Sequence, residues 1–243
     1  DSSMQNTKLV IPGKDTAAFL RALLKAGTAS LDMEANVYFF SGICSCVVRI
    51  FEAGEPVSGD FLESKLAILI EGLAQDFTQI HTAVGASLKR MLCHPKVDVT
   101  PRVLTQVLSA LAPRYQPAWF YVVDVLRSLL IRLSSQPDLV TPIVARVALR
   151  YQECEDRILQ VTPQVEGAFR DTLSSGVRVL RLTAFLKTVP LDAVLDEAGQ
   201  RTAAGTGVLE RRQWVMQVLH TALKLFPTTC ADFRSEVLER IDA

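Results

Sequence analysis

Helix-start signals recur along the first two thirds of this chain at nearly constant spacing, and that spacing constrains the fold more than any other feature. Thr100-Pro101, Thr141-Pro142 and Thr162-Pro163 all sit in Val-Thr-Pro triplets. Each pairs a hydroxyl that can accept from free backbone N–H groups with a proline at the first helical position, where its missing N–H costs nothing. Ser58-Gly59-Asp60 is an earlier start with an acidic first turn suited to the helix dipole, and Gln116-Pro117 is a weaker one. Taking Asp15, Ser58, Thr100 and Thr141 as first helices of successive pairs, the steps are 43, 42 and 41 residues. A second helix fits each interval, at Met33–Phe51, Thr78–Cys93 and Pro117–Leu133, with apolar residues three and four apart, as in Val122, Leu126, Leu129, Leu130 and Leu133.

One antiparallel helical hairpin per period of about 40 residues is the pattern of HEAT-like and armadillo-like arrays. The chain resembles them in spacing and capping chemistry. The resemblance implies an all-α, right-handed α-solenoid of about 12 helices, one helical-repeat domain over residues 1–243. Regular hairpins are expected over 15–160 and degenerate helices over 161–243, at Pro163–Ser174, Val177–Thr188, Leu191–Ala198, Val208–Phe226 and Ala231–Ile241. The small, polar stretch 199–207 reads as a flexible loop. No strand is expected.

At 49% hydrophobic and 21% charged residues, the composition is that of a folded globular chain rather than a disordered one. The five cysteines, Cys44, Cys46, Cys93, Cys154 and Cys230, are odd in number and scattered through apolar segments, which points to reduced core thiols in an intracellular, reducing compartment. The apolar run Val37–Val48 is interrupted by Ser41, Gly42 and Ser45, short of the roughly 20 residues of a spanning helix, so no membrane segment is expected. The chain opens Asp1-Ser2-Ser3 without a methionine, as a fragment or processed product would.

Motifs for chemistry are missing. There is no Gly-x-Gly-x-x-Gly, no phosphate loop and no Gly-x-Ser-x-Gly elbow, so no enzyme activity, cofactor or small-molecule substrate is expected. Cys44 and Cys46 with Cys93-His94 are metal-ligand types, but residues two apart on a helix point about 200° from each other, so no metal site is expected. His81, His94 and His220 lack a catalytic partner nearby in sequence, and Glu153, Glu155 and Asp156 read as a solvated turn.

The net charge is zero, yet its distribution is uneven: −4 over residues 1–85, +6 over 86–190 and −2 over 191–243. Arg146 and Arg150 share a helix face, as do Arg178 and Arg181. Stacked hairpins would align these with Lys89, Arg90, Arg102, Arg114, Arg127, Arg132, Arg157 and Arg170 in a positive strip for RNA phosphates or an acidic partner. Aromatic residues cluster at Tyr38, Phe39, Phe40 and Phe51 and again at Tyr115, Trp119, Phe120 and Tyr121. Trp119, Phe120 and Tyr121 are consecutive and point three ways on a helix, so one of them is expected to be exposed as a docking residue.

The segment from Val99-Thr100-Pro101 to Ile158, with its run Asp138-Leu139-Val140-Thr141-Pro142-Ile143-Val144-Ala145-Arg146-Val147-Ala148, is similar to the helical-repeat proteins of organellar RNA metabolism, the octotricopeptide and FAST-kinase-like group. The resemblance covers about a quarter of the chain and is one of pattern, so it transfers no binding residue. It implies a mitochondrial ribonucleoprotein component. Two functions follow as expectations: a non-catalytic scaffold joining other protein subunits of an assembly, or direct RNA binding along the basic strip.

Overall fold

A computed structural model of the chain describes residues 13–26, 32–53, 59–156, 158–195, 208–211 and 213–225. The contacts gather in two compact units, residues 1–106 and 107–243, where the repeat spacing alone marks no division.

The first unit holds α1 (Gly13–Ala26), α2 (Met33–Glu52), α3 (Gly59–Gly72), α4 (Thr78–Leu92) and the start of α5 (Pro101–Ser109). Asp32 caps α2, its carboxylate accepting from Ala35 N at 2.8 Å. Phe40, Ile43, Val47 and Val48 of α2 are buried, and α2 packs chiefly on α1 and α4. At 20 residues α2 is long and apolar enough, by length and composition, to cross a membrane, which exceeds the sequence expectation, but ten of those residues are buried inside the protein.

The second unit holds the rest of α5, a 3₁₀ turn (Pro113–Ala118), α6 (Trp119–Arg132), α7 (Pro137–Glu155), α8 (Pro163–Thr188), strands β1 (Asp192–Leu195) and β2 (Val208–Arg211), and α9 (Gln213–Leu225). Helix α8 is central, packing on α6, α7 and α9. A chain of aromatic rings joins these four helices. Trp119 meets Phe169 edge-on at 5.8 Å, Phe169 stacks with Tyr151 at 6.1 Å, and Tyr151 meets Trp214 at 5.1 Å. The Trp214 indole N–H also donates to buried Gln152 at 2.6 Å.

Within each unit, hydrogen bonds join residues one hairpin apart. Cys44 Sγ donates to Ser87 O, Gln106 Nε2 to Glu63 O and Ser174 Oγ to Val218 O, across 43, 43 and 44 residues. Gln116 Nε2 donates to Gln160 O across the same 44-residue step.

Several boundaries depart from expectation. Among the described residues there are nine α-helices, against about a dozen expected. Thr141 is no cap: α7 begins at Pro137, and the Thr141 hydroxyl donates to Pro137 O at 2.9 Å inside the helix. Pro137 already occupies the first helical position, so Pro142 falls in the second turn. Gln116-Pro117 likewise lies inside the 3₁₀ turn that Pro113 opens. The observed starts at Gly13, Gly59, Pro101 and Pro137 are therefore 46, 42 and 36 residues apart, a looser period than the capping signals suggest. Thr100 and Thr162 do cap, accepting from Val103 N and Val165 N at 3.3 and 3.4 Å.

The expected helices 163–174 and 177–188 are one element, α8. Its break lies later, at Arg181, with φ 67° and ψ 161°. Gly176 does not end the helix because its role is close approach: a Cβ there would lie 2.8 Å from a Val144 methyl of α7. The helix expected at 191–198 is strand β1, and the first residues of the one expected at 208–226 are strand β2. The two pair antiparallel from Asp192↔Arg211 to Leu195↔Val208. The loop 199–207 and the helix expected at 231–241 lie outside the described residues, as do Arg157 and Cys230.

Candidate docking groove

Helices α6 and α8 run in the same sense, since Trp119 meets Phe169 and, further along both, the Thr172 hydroxyl reaches Val123 O at 3.4 Å. Val122, Val123 and Leu126 of α6 and Phe169 and Leu173 of α8 are buried. On the outer side a groove of about 560 Å³ runs between them, lined by Phe120, Asp124 and Arg127 from α6 and by Gln164, Gly167, Ala168, Asp171 and Thr172 from α8.

Of the three consecutive aromatics, Trp119 is fully buried, Tyr121 is half-buried and edge-on to Phe120, and Phe120 is 44% exposed at the groove. This follows from helix geometry, since neighbouring residues project about 100° apart. Arg127, one helix face along, donates to Asp124 at 2.8 Å. On the α8 side Asp171 is exposed, and among the described residues a Cβ on Gly167 would meet nothing beyond its own stretch of helix within 4 Å. Chemically the groove offers an aromatic edge, a small-residue floor and charged rims, which suits the seating of a side chain or helix and contains no acid–base set.

The remaining basic residues are distributed as follows. Lys89, Arg90 and Arg102 belong to the first unit and are exposed. In the second unit Arg150 is largely buried and bonded to Glu153. Arg170 donates to the Tyr151 hydroxyl at 3.2 and 3.3 Å, and Arg114 lies 4.4 Å above the Tyr115 ring. Arg132 and Arg146 are half-buried, whereas Arg178 and Arg181 are exposed on α8. The structure thus brings Arg127 and Phe120 together at one place and ties Arg150, Arg170 and Arg114 to neighbours.

Of the cysteines, Cys44 and Cys154 are buried thiols. Burial pushes the Cys44 thiol up, and pushes that of Cys154 to about 11, with Glu153 adding to the rise. Both are therefore protonated and poorly nucleophilic at neutral pH. His81 is buried with its ring Nε2 2.5 Å from Gln75 O, while His94 stacks on Phe51 at 6.3 Å. Among the described residues no cluster of three metal-ligating side chains occurs.

The α8 half of the groove escaped the sequence reading, although a signal for it exists. Gln164, Ala168 and Asp171 follow Phe120, Asp124 and Arg127 by 44 residues each, close to the spacing of the helix-start signals.

Comparison with protein-family models, curated proteins and solved structures returns no match.

Proposed function

We propose that this chain is a non-catalytic, helical-repeat scaffold subunit that joins other proteins of a multiprotein assembly, and that it engages them through the α6–α8 groove. One observation carries the reading: Phe120, a large apolar side chain with 44% of its surface exposed, lines a groove whose remaining residues are small, polar or charged. An exposed aromatic beside a concavity is the composition of a binding hot spot. Hydrogen bonds between positions 43 and 44 residues apart in each unit support a stacked-hairpin architecture of the solenoid kind. Such arrays act by presenting surface.

Direct RNA binding is the weaker alternative. Arg127 and Arg150 hold carboxylates and Arg170 holds a phenol, so part of the proposed strip is committed within the protein. A ribonucleoprotein or mitochondrial setting rests on the resemblance alone.

The test is native co-purification of the chain and of Phe120→Glu, each with and without ribonuclease. A stoichiometric protein partner that survives ribonuclease and is lost from Phe120→Glu, with the helical circular dichroism unchanged, is the expected result. A stable monomer with no partner would sink the proposal.

A further inference from the structure

Gly167 stands in the interior of α8, where glycine costs about 1 kcal/mol relative to alanine. Two other helical glycines, Gly72 and Gly176, have an internal reason for lacking a side chain. A Cβ on Gly72 would lie 2.6 Å from the Phe40 ring, and one on Gly176 would lie 2.8 Å from Val144. At Gly167, among the described residues, no atom beyond its own stretch of helix would come within 4 Å of an added Cβ. Among the described residues no contact needs this glycine, and it lines the groove together with Phe120.

We infer that Gly167 is kept bare for the close approach of a partner helix, and that this helix carries a large apolar side chain together with a lysine or arginine within one turn. The inference rests on the docking reading above and specifies the partner's chemistry. The apolar side chain covers Phe120 and the Gly167 floor. The cation follows from charge: Asp124 and Arg127 neutralise each other at 2.8 Å, which leaves the exposed carboxylate of Asp171 as the surplus charge of the groove. An acidic helix would meet that carboxylate as a like charge, whereas a basic residue gains a charge-assisted contact. A helix laid in a groove between two parallel helices uses anchors three or four residues apart, which matches the run of Phe120, Asp124 and Arg127 along α6.

The probe is a displayed library of helical peptides, selected on the full chain and counter-selected on Gly167→Leu. Peptides enriched only on the unsubstituted chain are expected to pair an apolar residue with Lys or Arg within one turn, and to lose at least about tenfold in affinity to Gly167→Leu and to Asp171→Lys. Gly167→Leu is expected to melt no lower than the parent, and Gly167→Ala about 2–4 °C higher, which separates loss of binding from loss of fold. Enrichment of acidic peptides, or of peptides indifferent to Gly167→Leu, would overturn the inference. So would self-association of the parent abolished by Gly167→Leu, since the occupant would then be a second copy, or RNA retention abolished by the same change. If Phe120→Glu releases a native partner and Gly167→Leu does not, the scaffold reading stands and this inference fails.

Discussion

Tyr151 shows how one side chain ties the second unit together. Its ring lies between Phe169 and Trp214, and its hydroxyl accepts from Arg170. Burial first, and the neighbouring Glu155 next, push its pKa to about 12 from 10.0. An unfolded chain releases this proton near pH 10 and the folded chain near 12, so between those values the native state holds more protons and stability falls as pH rises. The contribution is intact below pH 10, and its loss by pH 12 amounts to roughly 2–3 kcal/mol. Cys154, raised from 9.0 to about 11, acts in the same direction from pH 9 upward. Urea melts of the parent and Tyr151→Phe from pH 9 to 12 should therefore show a shallower alkaline decline in the variant. Parallel declines would assign the loss to other groups. At this scale the sequence was partly legible: consecutive aromatics at 119–121 imply one exposed ring, but only packing selects Phe120.

Among the elements, the three Val-Thr-Pro triplets are chemically alike and structurally different. Thr162 caps α8 through Val165 N, and Thr100 caps α5. Thr141 sits within α7, its hydroxyl turned back on Pro137 O. Thr162→Ala is expected to cost about 1 kcal/mol, whereas Thr141→Ala should be neutral or mildly stabilising, because a back-bonded threonine in a helix interior contributes little. Chemical denaturation of the two variants checks this, and equal losses would contradict the observed start of α7. A proline four residues upstream of Thr141 decided the matter, since Pro137 starts the helix first. The β1–β2 ribbon was illegible for another reason. Each strand is four residues long, too short for a period of 2.0 to be told from 3.6, and its identity comes from the cross-strand partner.

For the molecule as a whole, a net charge of zero conceals a basic middle of +6. Whether that excess serves nucleic acid depends on how many of its charges are free to meet phosphates. With Arg127, Arg150 and Arg170 engaged internally, filter binding to single-stranded RNA is expected to be weak at low salt and to show a shallow salt dependence. A log–log slope steeper than about −4, equivalent to roughly six phosphates on a single strand, would restore the RNA reading. The division at 106 and 107 falls within α5, where no change of composition marks it, because both units are built from the same amphipathic pattern.

Helical class, the boundaries of α2 and α4 to within a residue and the caps at Thr100 and Thr162 were all determined by the sequence, because apolar periodicity and capping are local chemistry. The tertiary structure alone decided which proline starts α7, where α8 breaks, which arginines are spent on neighbours, and that Gly176 is filled over while Gly167 is left bare. Those outcomes depend on what another segment places within a few ångströms, a quantity that local sequence does not encode.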